Sequence, residues 1–147
     1  MTVKKDDYAS IRLENQICFP LYACAKEIVR RYKPYLDELE LTYTQYIAMM
    51  VLWEKKEVTV KELGKELFLD SGTLTPLLKK LEAKGYISRE RMESDERNLR
   101  VSITDKGEAL KEQAVKVPEK MRDCITLAPQ EAEQLYTILH NMLDTFE

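Results

Sequence analysis

The sequence is poor in the residues that build metal and disulfide sites. Its 147 residues include three cysteines and one histidine, namely Cys18, Cys24, Cys124 and His140. They lack the paired spacing of a structural zinc site, and three thiols cannot supply the disulfide framework of a small secreted domain. The sequence therefore predicts no metal and no cofactor. It leaves open whether one of the thiols is reactive.

Long apolar runs and enzyme motifs are also missing. No segment approaches the ~18 consecutive apolar residues that a membrane span needs, and the first residues do not resemble a signal peptide. We find no catalytic triad, glycine-rich phosphate loop or paired-carboxylate motif. These absences argue against a membrane protein and against an enzyme. The expected location is the cytoplasm.

The composition is that of an ordinary folded chain, with 44% hydrophobic and 33% charged residues. The net charge of −3 gives no general attraction to nucleic acid, although a local basic patch can still bind phosphates. Residues 79–100 hold a small excess of Lys and Arg over Asp and Glu. Charge alone is therefore weak evidence for DNA binding.

The N-terminal third carries apolar residues at three-and-four spacing, which predicts a first helix over residues 11–32. Pro20 lies inside this pattern. Since proline removes a backbone donor and clashes with the preceding turn, we expect a kink there. Pro34 is expected to end the helix, with a short helix following toward Leu39.

Residues 42–104 have the pattern of a winged helix-turn-helix. Capping boxes begin at Thr42 and Thr59, and each predicts a helix. A third helix is expected after a turn of capping residues. The hydrophobic period then changes from about 3.6 to 2, which predicts a two-stranded hairpin with a long polar tip at residues 93–98.

The terminal segments 1–41 and 105–147 are predicted dimerisation helices of a single-domain chain, 1–147. The last helix is expected from Pro129 and carries an apolar stripe that includes Ile138. A small winged unit cannot cover such stripes alone, so they favour a homodimer. Two-fold protein symmetry then predicts a pseudo-palindromic DNA operator.

The second helix of a helix-turn-helix presents its N-terminal residues to base edges in the major groove. Here those residues are small and hydroxylated, so they can approach bases and phosphates closely. In the wing, Arg97 is expected to enter a minor groove, held by Asp95, although this tip could also be a solvated turn. The other predicted DNA-binding residues are Asp70, Ser71, Gly72, Thr73, Thr75, Pro76, Lys79 and Lys80.

Two of these segments resemble the MarR family of transcriptional regulators. Residues 69–82 (LDSGTLTPLLKKLE) are similar to its recognition-helix region, and residues 95–99 (DERNL) are similar to its wing. The resemblance spans residues 13–146. It implies a mainly α-helical winged helix-turn-helix chain with a small β-hairpin wing. It also implies a dimer with intertwined N- and C-terminal helices that binds double-stranded DNA and usually represses.

Cys18 shares one face of the predicted first helix with Tyr22 and Tyr32. Phenolic hydroxyls can stabilise a thiolate, the form of cysteine that reacts with peroxides, and oxidation to a sulfenic acid would disturb their hydrogen bonds. The alternative is an unreactive thiol that acts as a small hydrophobe. Cys24 points away from this face, and we assign it to packing.

Residues 13–23 (LENQICFPLYA) resemble the first helix of the OhrR-type branch, the organic hydroperoxide sensors. This implies that Cys18 is the redox sensor, surrounded by Tyr22, Tyr32 and Tyr43, some of them from the partner subunit. Cys124 resembles the resolving cysteine of some members, which implies an intersubunit disulfide with Cys18. A structural role for Cys124 is equally open.

Three rival functions remain at this point. A MarR-type regulator could be released by a small aromatic ligand in a pocket lined by Tyr32, Tyr43, Tyr46 and Trp53. A broader thiol-based global regulator would share the Cys18 region. A thiol peroxidase would need an arginine near the cysteine, and the first helix offers none on that face.

Overall fold

The computed structural model describes residues 8–146, apart from the side chains of residues 95–97. Two 3-10 turns, Ala9–Ile11 and Leu13–Asn15, precede the first α-helix. Within this range the elements are α1 Cys18–Asp37, α2 Tyr43–Lys55, β1 Glu57–Thr59, α3 Val60–Leu67, α4 Ser71–Ala83, β2 Ile87–Met92, β3 Asp95–Ile103, α5 Asp105–Ala114, α6 Lys116–Arg122 and α7 Pro129–Asp144.

Helix α1 differs from the prediction at both ends. It begins at Cys18, so Pro20 lies in the first turn, where a backbone N–H has no intrahelical partner to lose. The expected kink at Pro20 is therefore wrong. The helix also continues through Pro34 to Asp37. The predicted break at Pro34 is wrong, because tertiary packing of the last turn outweighs one missing hydrogen bond.

The capping residues predicted for α2 and α3 do form their hydrogen bonds. The Gln45 N–H donates to Thr42 Oγ1 over 3.3 Å, and the Thr42 N–H donates to Gln45 Oε1 over 3.0 Å. Thr59 and Glu62 form the same reciprocal pair at the start of α3. Side chains fixed within four residues of sequence thus determine where both helices begin.

The sheet has three antiparallel strands in the order β1-β3-β2, rather than the two-stranded hairpin that was predicted. Strand β1 is three residues long and pairs Val58 with Val101, too short to show a period in the sequence. The pairing of β2 with β3 extends to Met92 and Asp95. The predicted long polar tip at residues 93–98 is therefore wrong, because the two strands are joined by a short turn at residues 93–94.

The core lies between α2, the helix-turn-helix and the sheet, and α2 is its central element. Trp53 is buried on α2, and its indole Nε1 donates to the Gly107 carbonyl of α5 over 2.9 Å. This bond connects the winged unit to the helices that follow it. The completely buried large side chains are Leu36, Met49, Leu52, Leu63, Leu74, Leu78, Leu81 and Val101.

The start of α1 and helix α7 leave apolar side chains uncovered in the single chain. Helix α7 begins with Pro129 as predicted, and it buries none of its residues. Helix α1 buries Leu36 alone. Ile17 is 84% exposed, and Ile138 on α7 is 55% exposed. No helix in the described range is both long and apolar enough to span a membrane.

Candidate functional site

Helix α4 is amphipathic in the sense that a recognition helix requires. Its leucines at positions 74, 77, 78 and 81 are buried against the core. Its other face is exposed along the whole helix. That face carries every DNA-binding residue predicted on α4: Ser71, Gly72, Thr73, Thr75, Pro76, Lys79 and Lys80.

The N-terminus of α4 is fixed by local hydrogen bonds. Asp70 is the N-cap residue, and its Oδ1 accepts the Thr73 N–H over 2.8 Å. Asp70 therefore orients the helix. The Thr75 hydroxyl donates to the Ser71 carbonyl over 2.8 Å, so its proton is engaged and its methyl group is free to face outward. An exposed helix N-terminus of this kind favours anions such as phosphate.

Strand pairing brings β2 and β3 beside α4 as a wing. Asp95 and Arg97, the predicted wing-tip residues, have side chains outside the described part of the structure. Their proposed contact with a minor groove stays a prediction. The inner side of the wing is described, and there Arg89 donates from Nη2 to Glu82 Oε1 of α4 over 3.0 Å.

Cys18 is the first residue of α1 and its side chain is exposed in the single chain. Tyr22 follows one turn later and is also exposed. Cys24 is exposed as well, so its assignment to packing is wrong for the single chain.

Tyr32 and Tyr43, predicted to surround Cys18, lie beside each other and far from Cys18 of the same chain. Their ring centroids are 5.0 Å apart, and Tyr46 is 5.9 Å from Tyr32. Along α1, Tyr32 is fourteen residues from Cys18, which is about 21 Å of helix. Of the three predicted tyrosines, all within the described residues, Tyr22 is the one that lies a single helical turn from the thiol in the same chain. A sensor pocket with all three predicted tyrosines would need the partner subunit.

Burial moves the pKa values of the clustered phenols still further above neutral pH. It raises the pKa of Tyr32 and of Tyr43 above the ordinary value, and raises the pKa of Tyr46 to about 12. All three hydroxyls are therefore available as hydrogen-bond donors near neutral pH. Tyr46 was predicted as a lining residue of a ligand pocket and is instead buried in the core, in edge contact with Trp53.

Cys124 lies just beyond α6 and is packed against the second half of α1. Arg31 Nη1 donates to the Cys124 carbonyl over 2.6 Å. A hydrogen bond with Cys124 is the main reason that the pKa of Tyr35 is raised. Arg31 is thirteen residues from Cys18, or about 20 Å of helix. A disulfide needs Cα atoms within ~7 Å, so Cys18 and Cys124 of one chain cannot join in this conformation.

A cavity of about 230 Å³ lies between α1 and α2. Tyr43 is its one aromatic lining residue, and Arg30 and Lys33 supply positive charge. The aromatic lining predicted for a ligand pocket, from Tyr32, Tyr46 and Trp53, is wrong for this cavity. Arg30 is also engaged with Glu27 over 2.7 Å, which leaves less of its charge for a ligand.

Comparisons with known proteins agree with this architecture. A family model described as transcriptional regulator SarA/Rot matches residues 30–114. The organic hydroperoxide resistance transcriptional regulator of Bacillus subtilis is 44% identical over 141 residues, which are 96% of this chain and 96% of that protein. The chain belongs to the MarR family of transcriptional regulators, in its OhrR-type branch.

Two further MarR-type proteins extend the comparison. The HTH-type transcriptional regulator SarZ of Staphylococcus aureus is 44% identical over 131 residues, 89% of this chain and 88% of its own. Reduced AbfR of Staphylococcus epidermidis, bound to DNA, superposes with a TM-score of 0.77 at 33% identity and covers 95% of this chain and 98% of that chain. The predicted fold, a mainly α-helical winged helix-turn-helix, is thereby confirmed.

The structure places most of the predicted site residues with described side chains in three separate groups, and Cys124 lies apart from them beside Arg31. The α4 residues form one exposed face, Cys18 and Tyr22 lie at the start of α1, and Tyr32 and Tyr43 lie together near its other end. Glu82 and Arg89 form an ion pair that was not predicted from the sequence. The sequence signal was Arg89, a charged residue two positions after Ile87, where the alternation of β2 places an inward side chain. The sequence does not show that Glu82 of α4 is its partner.

Proposed function

We propose that this chain is a homodimeric repressor that binds a pseudo-palindromic operator in double-stranded DNA and is released when an organic hydroperoxide oxidises Cys18. One observation carries the proposal. An exposed thiol begins α1 in a chain that is 44% identical, over nearly its full length, to a protein named for organic hydroperoxide resistance.

The DNA contacts follow from the exposed face of α4. Its first two turns present small side chains and free backbone N–H groups to the major groove, and Lys79 and Lys80 lie further along toward the phosphates. Reduced AbfR was solved bound to DNA, which supports the same use of this face here. The wing tip, with Arg97, would occupy the adjacent minor groove.

Dimerisation follows from the unpartnered apolar side chains of the terminal helices. Contiguous exposed apolar surface is rare on a monomer and marks an interface. Residues near the start of α1 and along α7 supply such a surface on the same chain. A two-fold dimer would also place the tyrosines of one subunit near Cys18 of the other, which the single chain does not do.

The chemical step begins with the Cys18 thiolate, which attacks the distal oxygen of ROOH. The S–O bond forms, the O–O bond breaks, and the alkoxide leaves as ROH after it takes a proton. The product is a Cys18 sulfenic acid. A thiolate then attacks this sulfur, the S–S bond forms and the S–O bond breaks, and the hydroxide leaves as water after it takes a proton. We propose Cys124 of the partner subunit as that thiol, with a small cellular thiol as the alternative.

Release follows if the modified Cys18 shifts α1 and the dimer interface. Two recognition helices must lie about one DNA turn apart, ~34 Å, to bind both half-sites. A local change at the start of α1 alters this spacing, because the winged units are carried on the terminal helices. AbfR was also solved in a disulfide form, with a lower TM-score of 0.64 to this chain.

The test of this function is operator binding followed by fluorescence anisotropy. We expect tight binding to the promoter region of the chain's own gene, loss of binding after cumene hydroperoxide, and recovery after dithiothreitol. Binding that persists through oxidation would contradict the sensor role and leave DNA binding intact. It would favour a regulator controlled by a small ligand in the cavity between α1 and α2.

A second prediction concerns Lys79 on the exposed face of α4. Lys79→Gln is expected to weaken binding by a similar factor for operator and random DNA, and to lower the magnitude of the slope of log K against log salt by about 2, because each of the two subunits loses one phosphate contact and each contact releases about one counterion. Anisotropy titrations between 50 and 200 mM salt measure the slope, with Lys65→Gln on α3 as the matched control. An unchanged slope would remove Lys79 from the phosphate contacts.

The remaining alternatives make different predictions. We propose that the chain is not an enzyme, so that each Cys18 consumes one equivalent of peroxide per oxidation and does not sustain rapid peroxide consumption when a thioredoxin-type reductant is supplied. We also propose a cytoplasmic location, as for other DNA-binding regulators. A global regulator would bind many promoters, and sequencing of DNA bound in cells distinguishes it.

A further inference from the structure

Strand β2 carries a charged residue where its pattern calls for an apolar one. Ile87 is buried, and the side chains at 88 and 90 are exposed, so the inward position two residues after Ile87 is Arg89. Inward residues of a half-buried strand are normally apolar. The Arg89 side chain is only 17% exposed. It therefore points toward the body of the winged unit and not toward DNA.

The partner of Arg89 is an acid on the recognition helix. Arg89 Nη2 donates to Glu82 Oε1 over 3.0 Å, and Glu82 lies in the last turn of α4. The guanidinium also holds the pKa of the Glu82 carboxyl below its usual range. In the other ion pairs of the described residues, both side chains are more than a third exposed. A partly buried pair keeps its geometry better than such surface pairs do.

We propose that Arg89 and Glu82 form a positioning pair that sets the angle of the wing relative to the recognition helix, so that both contact the operator at once. The inference rests on the proposed DNA-binding function. It assigns Arg89 no contact with DNA. Arg89 fixes the base of the wing, and Glu82, in the last turn of α4, holds the Arg89 side chain in place.

The strand pairing explains how the position of Arg89 reaches the wing tip. Arg89 lies opposite Val101 of β3, which is completely buried. From there the ladder runs to Arg91 opposite Leu99, shifts register, and resumes with Met92 opposite Asp95, about 10 Å further along the strand than Arg89 at 3.3 Å per residue. Pairing on both sides of this shift joins the tip to the base of the hairpin. Fixing Arg89 against α4 therefore fixes the tip.

The test uses Glu82→Ala, because electrostatics and positioning predict opposite signs for it. Removal of an acid from a DNA-binding unit strengthens DNA binding if charge alone acts. The positioning role predicts instead about fivefold weaker operator binding. Glu66→Ala is the matched control. Glu66 is an acid of similar exposure, 38% against 40%, and it is paired with Lys55 in the same winged unit. This control is expected to bind at least as tightly as wild type.

A double-mutant cycle with Arg97→Ala separates positioning from simple stability. If Glu82 acts through the wing, Glu82→Ala has little further effect once the wing-tip arginine is gone. Losses that multiply in the double variant would overturn the proposal, and so would wild-type or tighter binding by Glu82→Ala. Should that variant fail to fold by circular dichroism, Arg89→Lys keeps the charge, removes the guanidinium fork, and enters the same cycle.

The outcome for the wild-type protein distinguishes this proposal from the function on which it rests. If wild-type protein does not bind its operator, the proposed function fails and the positioning role fails with it. If wild-type protein binds and releases as expected while Glu82→Ala also binds normally, only the positioning role is overturned.

Discussion

Replacement of Cys18 by serine is expected to abolish release by organic hydroperoxide and to leave binding of the reduced protein to its operator unchanged. Serine keeps the size of the side chain at the start of α1, but it cannot form a sulfenic acid. In wild-type protein we expect oxidation to weaken operator binding by a factor between about 5 and 150, the usual range of allosteric coupling. Anisotropy with and without cumene hydroperoxide measures both constants.

Cys24 provides the matched control for this experiment. It lies six residues after Cys18 on the same helix and is also exposed, so a general sensitivity of exposed thiols would affect both. We expect Cys24→Ser to be released by hydroperoxide as wild type is. Equal release of the Cys18→Ser variant would contradict the sensor assignment.

Cys124→Ser tests the second half of the chemistry. The variant is expected to release DNA on oxidation but to form no intersubunit disulfide, so non-reducing electrophoresis shows monomer bands only. Within one chain, Cys124 is held near Arg31, far along α1 from Cys18. An oxidised wild-type protein that also runs as monomer would assign resolution to a small thiol, with Cys124 as a packing residue.

The elements of the winged unit could be predicted because their signals are local. Thr42 and Thr59 begin helices through bonds to residues three positions away, and the change of hydrophobic period marks β2 and β3. Strand β1 could not be predicted in this way. It is three residues long, and it exists because β3 offers an edge to pair with, which is a long-range cause.

The limits of α1 show the same distinction. Pro20 and Pro34 have identical local preferences, and neither ends the helix, for different reasons: Pro20 lies in the first turn, and Pro34 lies in the interior, where packing of the last turn outweighs one missing hydrogen bond. Two 3-10 turns precede Cys18, and the periodicity of the hydrophobic residues does not show that the helix begins there. In the same way, helical spacing places Cys18 and Tyr32 on one face. It does not bring them close, because fourteen residues of helix separate them.

The last prediction concerns the apolar stripe of α7, which has no partner in the single chain. Ile138→Lys is expected to dissociate the dimer and to abolish operator binding. A lysine at the centre of an apolar interface costs about 2 kcal/mol or more. Two-fold symmetry repeats this cost, so about 4 kcal/mol is lost, or roughly a thousandfold in the dimer dissociation constant. Sedimentation velocity measures the association state directly.

Thr137→Lys is the control, since it adds the same charge one residue away on the polar side of α7. Thr137 and Ile138 are both exposed in the single chain. If the protein acted as a monomer, both changes would be ordinary surface substitutions, each within about 0.5 kcal/mol of neutral. A dimer gives different results for the two neighbours. The Ile138→Lys monomer is expected to keep its winged unit folded and to lose binding to the full operator. This result would show that operator binding requires two recognition helices at the two-fold spacing.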